Sequence, residues 1–350
     1  IARDGMEYKI SESDRRKIEQ QNQTYAENGL RVLAFGYRIL DSNSDLDENE
    51  EENLVFLGMT AVMDPPREES KAAVQSCIEA GIRPVMITGD HKITAAAIAK
   101  RIGILQEGDL VCEGADIDGM SDEDLEEYVE RVSVYARVAP EHKIRIVKAW
   151  QRKGNIVAMT GDGVNDAPSI KTADIGIGMG ITGTDVTKNV SDMILADDNF
   201  ATIVNAVEEG RRIYDNIRKA IQFLLSSNMS EVLGIFFATL LGFTLLKPVH
   251  LLFINLITDA FPALALGLEK EEPDTMRRPP RDSKDSIFAG GMVFDIVYQG
   301  LMITVLTIAS YIIGHSMEVG YFEMPKGLSP DGMTMAFMTM NMCEIFQSLN

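Results

Sequence analysis

Two short turns of one type recur in this sequence, "TGD" at Thr88–Asp90 and "MTGDGVNDAP" at Met159–Pro168. In the second, the carboxylates of Asp162 and Asp166 stand four residues apart, and Gly161 and Gly163 flank Asp162. Small residues let main-chain amides approach an anion closely and cradle phosphate oxygens. A carboxylate beside such amides suits Mg2+, which takes one or two protein carboxylates and completes its shell with water and substrate phosphate. Thr88 and Gly89 offer a hydroxyl and an amide to the same phosphate. Lys143, at a predicted helix start, offers positive charge to a phosphoryl group in transfer. A single TGD is an ordinary strand-end turn. Two copies, a lysine between them and "GDGVND" in full point to phosphate chemistry.

A second set of polar residues lies in apolar surroundings. Asn228 and Glu231 are three apart, and Asn255, Thr258 and Asp259 follow the spacing i, i+3, i+4, so each set shares one helix face. Pro262 weakens the helix just beyond and frees main-chain carbonyls. A carboxylate at the centre of a membrane helix costs about 2.5–3.5 kcal/mol on insertion scales, so it is rarely there without a role. Five oxygen-bearing side chains with two carboxylates among them suit Ca2+, a hard cation with oxygen ligands. Hydrogen bonding that merely glues helices together accounts for Ser226, Ser227, Asp295 and Gln299. It leaves two facing carboxylates without compensating charge.

The elements that position these groups follow from patterning. The chain has 350 residues and a net charge of −20, with a change of character near residue 220. Acidic patches at Asp41–Asn53 and Asp116–Glu130 read as solvated loops and helix faces, and so acidic a chain is no partner for nucleic acid. Cys77, Cys112 and Cys343 are far apart, and His91, His142, His250 and His315 are equally scattered, which argues against a disulfide framework or a zinc site. From Asn53 onward, apolar runs alternate with amphipathic helical segments: Leu54–Met63, "IRPVMITGD", "VSVYARV", "NIVAMTGD" and "IGIGMG" are the strands. This predicts an α/β domain with a parallel sheet covered on both faces and both TGD turns at the carboxyl ends of strands.

From Ala220 the pattern predicts an α-helical transmembrane bundle of four spans, Ile221–Leu246, Leu251–Leu268, Phe288–Gly314 and Met333–Asn350. "RRIYDNIRK" precedes the first span and "EKEEPDTMRRPPRDSK" separates the second from the third. The positive-inside rule therefore places these loops and the α/β domain in the cytoplasm of an integral, multi-pass protein in contact with lipid. Between Arg211 and Leu233 there is no Pro or Gly, so one helix is expected to run from the α/β domain into the membrane. The chain opens at Ile1 with neither an initiator methionine nor a signal peptide, and it is expected to lack its true amino terminus.

"DPPR", "MITGD", "ARVAPEHK" and "TGDGVNDAP", in this order and spacing, resemble the phosphorylation domain of P-type ATPases, a haloacid-dehalogenase-like fold. The resemblance implies Asp162 as the Mg2+ ligand, Asp166 as its support, and Lys143, Thr88 and Asn165 at the phosphoryl group of ATP. Gly89, Asp90 and Arg137 would complete a nucleotide-facing pocket. "GLRVLAFGYR" resembles the end of the family's nucleotide-binding domain, with Arg31 as a phosphate contact, and Asp64 of "DPPR" would sit at the hinge. Residues 1–52, 53–215 and 216–350 then correspond to the end of the nucleotide-binding domain, the phosphorylation domain and the membrane helices.

"SSNMSEV" and "NLITDAFPALALG" are similar to two helices of sarco/endoplasmic-reticulum-type calcium pumps. In "TMNMCEIF", Asn341 takes the place of a glutamate ligand of those pumps, which weakens one of two expected calcium sites. The family's acceptor motif DKTGT is absent from the sequence. The resemblance thus implies the carboxyl-terminal part of an ATP-driven cation pump, inactive without the amino-terminal part of the same protein. A membrane-tethered dehalogenase-like phosphatase and a catalytically inactive, truncated pump serving as a binding or regulatory partner are the other readings.

Overall fold

The structure is a computed structural model describing residues 1–3, 6–39, 53–62 and 65–349. Asp64 and most of the acidic stretch after Asp41 lie outside the described residues. The chain divides into two compact units, residues 1–205 with 276–283, and residues 206–275 with 284–350.

The first unit opens with the short antiparallel pair β1 (Ala2–Arg3) and β2 (Met6–Glu7) and the helix α1 (Glu12–Glu27). Ser11 caps α1 through a reciprocal box, its hydroxyl accepting from the Asp14 amide while the Asp14 carboxylate accepts from the Ser11 amide. Strands β3 (Arg31–Tyr37) and β4 (Val55–Val62) then pair antiparallel, with Arg31 opposite Val62. This corrects the expectation that Leu54–Met63 opens the parallel series. An unbroken apolar run shows that a strand is favourable but not which strand it pairs with. Several apolar side chains on this pair, Leu33, Phe35 and Leu57 among them, are exposed.

The parallel series begins after helix α2 (Glu68–Glu79). It runs β5 (Met86–Ile87), α3 (Lys92–Ile102), β6 (Leu110–Glu113), α4 (Gly114–Asp118), α5 (Asp122–Tyr128), β7 (Val132–Ala136), α6 (Pro140–Arg152) and β8 (Ala158–Gly161). It closes with α7 (Ala167–Thr172), β9 (Ile175–Met179), α8 (Asp185–Val190) and β10 (Met193–Leu195). All pairings in this series are parallel, in two three-stranded groups ordered β5-β7-β6 and β8-β9-β10. Every residue of β7 is buried, and it packs with Cys112, Ile117, Leu125 and Ile146 in the largest cluster of this unit. Both TGD turns follow strand ends as the patterning predicts, the first after β5 and the second closing β8.

Helix α9 (Phe200–Leu241) is 42 residues long and runs without interruption through the stretch lacking Pro and Gly. It stops five residues short of the expected Leu246. Gly242 adopts φ +85 there, and the Phe243 amide turns back to the Ala238 carbonyl, a glycine-terminated helix end. The second unit continues with α10 (Pro248–Phe253), a π-helical turn at Ile254–Asp259, α11 (Ala260–Gly267), α12 (Met292–Val319) and α13 (Pro330–Ser348).

Among the described residues, three helical stretches are long and apolar enough to cross a membrane: Phe200–Leu241, Pro248–Gly267 and Met292–Val319. The fourth expected span folds as α13 but falls outside that set. Asn341, Glu344 and Gln347 dilute its apolar character. Small residues bring α12 and α13 together: a Cβ on Gly314 would lie 2.9 Å from the Gly332 Cα, and one on Gly332 would lie 2.8 Å from the Tyr311 carbonyl. Tyr311, fully buried, stacks on Phe243 at 4.6 Å between ring centres.

Candidate functional site

In the first unit the second TGD turn is built around Asp166, which is buried although charged. One carboxylate oxygen meets the Lys143 ammonium at 2.5 Å; the other accepts from the amides of Asp162 (3.3 Å) and Gly163 (3.1 Å). Asp166 therefore holds the turn from behind, and the side chains of Asp162 and Asn165 are left exposed. Gly161 is required by this packing, because a Cβ there would lie 2.4 Å from the Cβ of Asp166. An exposed carboxylate beside the Gly161–Gly163 main chain, with only oxygen donors, fits Mg2+.

Two elements that sequence reasoning passed over steady the same turn. The Asp162 carbonyl accepts from the Thr184 amide at 2.9 Å, at the start of α8. The loop leading to Thr184 is held by Asp198, whose carboxylate accepts from the amides of Ile181 and Thr182. Those amide hydrogen bonds lower the Asp198 carboxyl to about 2. Asp198 also adopts φ +49, a conformation costly for a non-glycine residue and sustained here by these bonds.

The first turn is organised by main chain. Thr88 Oγ1 accepts from the Asp90 amide at 3.1 Å, and the Thr88 and Asp90 carbonyls accept from the amides of Val138 and Arg137. Arg137 adopts φ +49 to make this approach. The structure thus links Thr88, Asp90 and Arg137 to one another, and Lys143 to Asp166. Arg31 reaches Asp90 at 3.0 Å, but its side chain is 75% exposed, so screening makes this a weak pair.

The second unit gathers carboxylates. Glu231, Asp259 and Glu344 are buried. The Asn255 amide donates to both oxygens of Glu231 at 3.0 Å, and Thr258 donates to the Asn341 side chain at 2.6 Å. Ser227 lies within 3.0 Å of Asp259 and 2.6 Å of Glu344. The Ser227 hydroxyl carries a single hydrogen and stands between the two carboxyl groups, joining Asp259 to Glu344. The second oxygens of Asp259 and Glu344 are buried without a hydrogen-bond partner among the described residues. Buried acceptors of this kind are costly unless something else binds them.

Asn228 stands apart from this cluster, exposed and bonded to the Leu224 carbonyl of its own helix. Ser227, read from sequence as a residue that hydrogen-bonds between helices, does so, and both of its partners are carboxylates. Glu344 lies outside the set read from sequence; its signal is a carboxylate three residues beyond Asn341, one helical turn away on the same face.

Comparison with known proteins bears on both sites. Residues 2–174 match the haloacid dehalogenase-like hydrolases, and residues 243–350 match the carboxyl terminus of cation transporting ATPases. The chain is 46% identical over 363 residues to calcium-transporting ATPase 1 of Bacillus cereus, a match covering 100% of this chain and 40% of that protein. A calcium-transporting ATPase of Listeria monocytogenes is 48% identical, covering 89% and 36%. A sodium/potassium exporting P-type ATPase of Schizosaccharomyces pombe is 40% identical, covering 87% and 31%. The chain therefore spans two fifths or less of the length of these curated relatives.

Proposed function

The chain belongs to the P-type cation-transporting ATPases, and from that premise we propose that it carries the Mg2+- and phosphate-handling turns of an ATP-driven Ca2+ pump together with much of its cation site. The observation that carries the choice of Ca2+ is that Glu231, Asp259 and Glu344 are all buried in an apolar bundle, with Asp259 and Glu344 joined through Ser227 and an orphaned oxygen on each of these two. These three carboxylates with Asn255, Thr258 and Asn341 would offer an all-oxygen donor set whose charge suits a divalent ion better than Na+ or K+.

In the phosphoryl site the residues of this chain bind and orient. Lys143, held by Asp166, sets positive charge beside the phosphoryl group of ATP, while the Thr88 hydroxyl and Gly89 amide donate to its oxygens. Asp162, with Asp166 as its support, would hold Mg2+, which supplies charge neutralisation during transfer. Asn165, Asp90, Arg137 and Arg31 face the nucleotide. The acceptor is an aspartate in the part of the longer protein that precedes Ile1. The α/β unit faces the cytoplasm, on the side of the Arg- and Lys-rich loops.

Asp259→Asn and Glu344→Gln test this reading in the full-length protein. Each keeps size and one oxygen but removes a charge, so the Ca2+ concentration that half-activates phosphorylation by ATP should rise by a factor on the order of 100. Phosphorylation by inorganic phosphate should persist. Unchanged Ca2+ activation would remove these carboxylates from the cation site; activation by Na+ in place of Ca2+ would reassign the ion.

A further inference from the structure

The two TGD turns are joined by one stretch of chain, Arg137–Lys143, and a single buried side chain fixes its bend. His142 is 8% exposed and has both ring nitrogens engaged. Its Nδ1 lies 3.0 Å from the Ala139 amide, which can only donate, so Nδ1 carries no hydrogen. The hydrogen is therefore on Nε2, which lies 2.7 Å from the Asp118 carboxylate at the end of α4. Ala139 is the cap residue of α6 and has no side-chain oxygen, so the imidazole supplies the acceptor that a capping box needs.

Glycine at 114 leaves room for the ring. A Cβ on Gly114 would lie 2.8 Å from Nδ1 and 2.5 Å from the Arg137 carbonyl. On one side of this bend, Arg137 and Val138 hold the carbonyls of the first turn; on the other, Lys143 holds Asp166 of the second. The separation between the turns therefore depends on the conformation of residues 137–143.

We propose that His142 is a positioning residue: it fixes the Arg137–Lys143 bend, through the Ala139 amide on one nitrogen and Asp118 on the other, so that Thr88 and Lys143 act on the same phosphoryl group. This rests on the role given above to Lys143. Among the described residues, the hydrogen bonds of the His142 ring go to Ala139 and Asp118 and not to either turn, and its role includes no proton transfer.

Three measurements test it. In this chain, nitrogen chemical shifts of the His142 ring should show the Nε2–H tautomer; the Nδ1–H tautomer overturns the proposal. In the full-length protein, His142→Ala should slow phosphorylation at saturating ATP by about 10- to 100-fold, the scale of a misplacement near 1 Å, while half-saturating ATP moves by less than about two-fold. His142→Asn places an oxygen where Nδ1 stands and should restore most of that rate, because the Ala139 amide regains its acceptor. A parental rate in His142→Ala, or a His142→Asn protein as slow as His142→Ala, overturns it. If His142→Ala fails to fold, the tautomer and the His142→Asn rate still decide. Lys143→Ala separates the two levels: a parental rate there defeats the role of Lys143, whatever the His142 variants do.

Discussion

Asp166→Asn isolates one interaction in the second turn. An asparagine can keep its oxygen toward the amides of Asp162 and Gly163, which turns its NH2 group toward the Lys143 ammonium. What is lost is then the ion pair alone, and a buried cation is left facing a donor. Breaking a buried pair by removing one partner costs about 3–5 kcal/mol. The two side chains retain 11% and 16% exposure, so the lower end applies, about 3 kcal/mol or more than a hundredfold in the folded-to-unfolded ratio. With a urea slope of about 2–3 kcal/mol/M the midpoint should fall by about 1–1.5 M. The assay is fluorescence in detergent, since Trp150 is the chain's one tryptophan and lies on α6, the helix that carries Lys143. Adding Lys143→Met should recover at least half of the loss, because the cation needing a partner is gone. A midpoint that moves by less than about 0.3 M in Asp166→Asn, or no recovery in the double variant, would refute the view that this carboxylate holds the lysine.

Gly161→Ala places a methyl group where the Asp166 side chain stands. It should abolish phosphorylation by ATP in the full-length protein while Ca2+ binding persists, and an active variant would show that the turn tolerates displacement of Asp166. Cys112 is fully buried, and burial with Asp116 nearby raises its thiol from 9.0 to about 11. The folded state thus favours the protonated thiol, so this contribution to stability is intact below pH 9 and is lost as pH rises through 11. Iodoacetamide at pH 8.5 should spare Cys112 until urea unfolds the first unit; rapid labelling of the native chain would contradict the burial.

Much of the phosphoryl site was legible because its chemistry is local. Gly161, Asp162, Gly163 and Asp166 lie within six residues, and their spacing alone implies a turn with a carboxylate inside it. The alternation of β5, β7, β8 and β9 with helices was legible for the same reason, each element being favoured by its own residues. What could not be read was pairing. The Leu54–Met63 run carries no mark that its neighbour is Arg31–Tyr37 rather than another parallel strand. Asp198 reaches back sixteen residues to Thr182, and its role exists only once the loop is folded. Glu344 escapes a reading of the sequence for a subtler reason. Asn341 and Glu344 occupy one helix face, and each meets a predicted ligand or its neighbour, Asn341 at Thr258 and Glu344 at Ser227. Helical periodicity alone cannot rank two polar groups a turn apart.

The π-helical turn at Ile254–Asp259 alters the phase of everything that follows it. Hydrogen bonding from i to i+5 accommodates one residue more than an α-turn, so side chains after the turn are rotated by about 100° relative to an uninterrupted α-helix. Pro262 has no amide to offer the Thr258 carbonyl, so an α-helical ladder would be broken at this point in any case and widening it forfeits little. The result is a short segment that addresses more than one neighbour. Asn255 meets Glu231 on α9, Thr258 meets Asn341 on α13, and Asp259 meets Ser227 back on α9. A regular helix would line these three up on one stripe. The wide turn fans them out, so that a cation held by them would be gripped from several directions by a single stretch of chain.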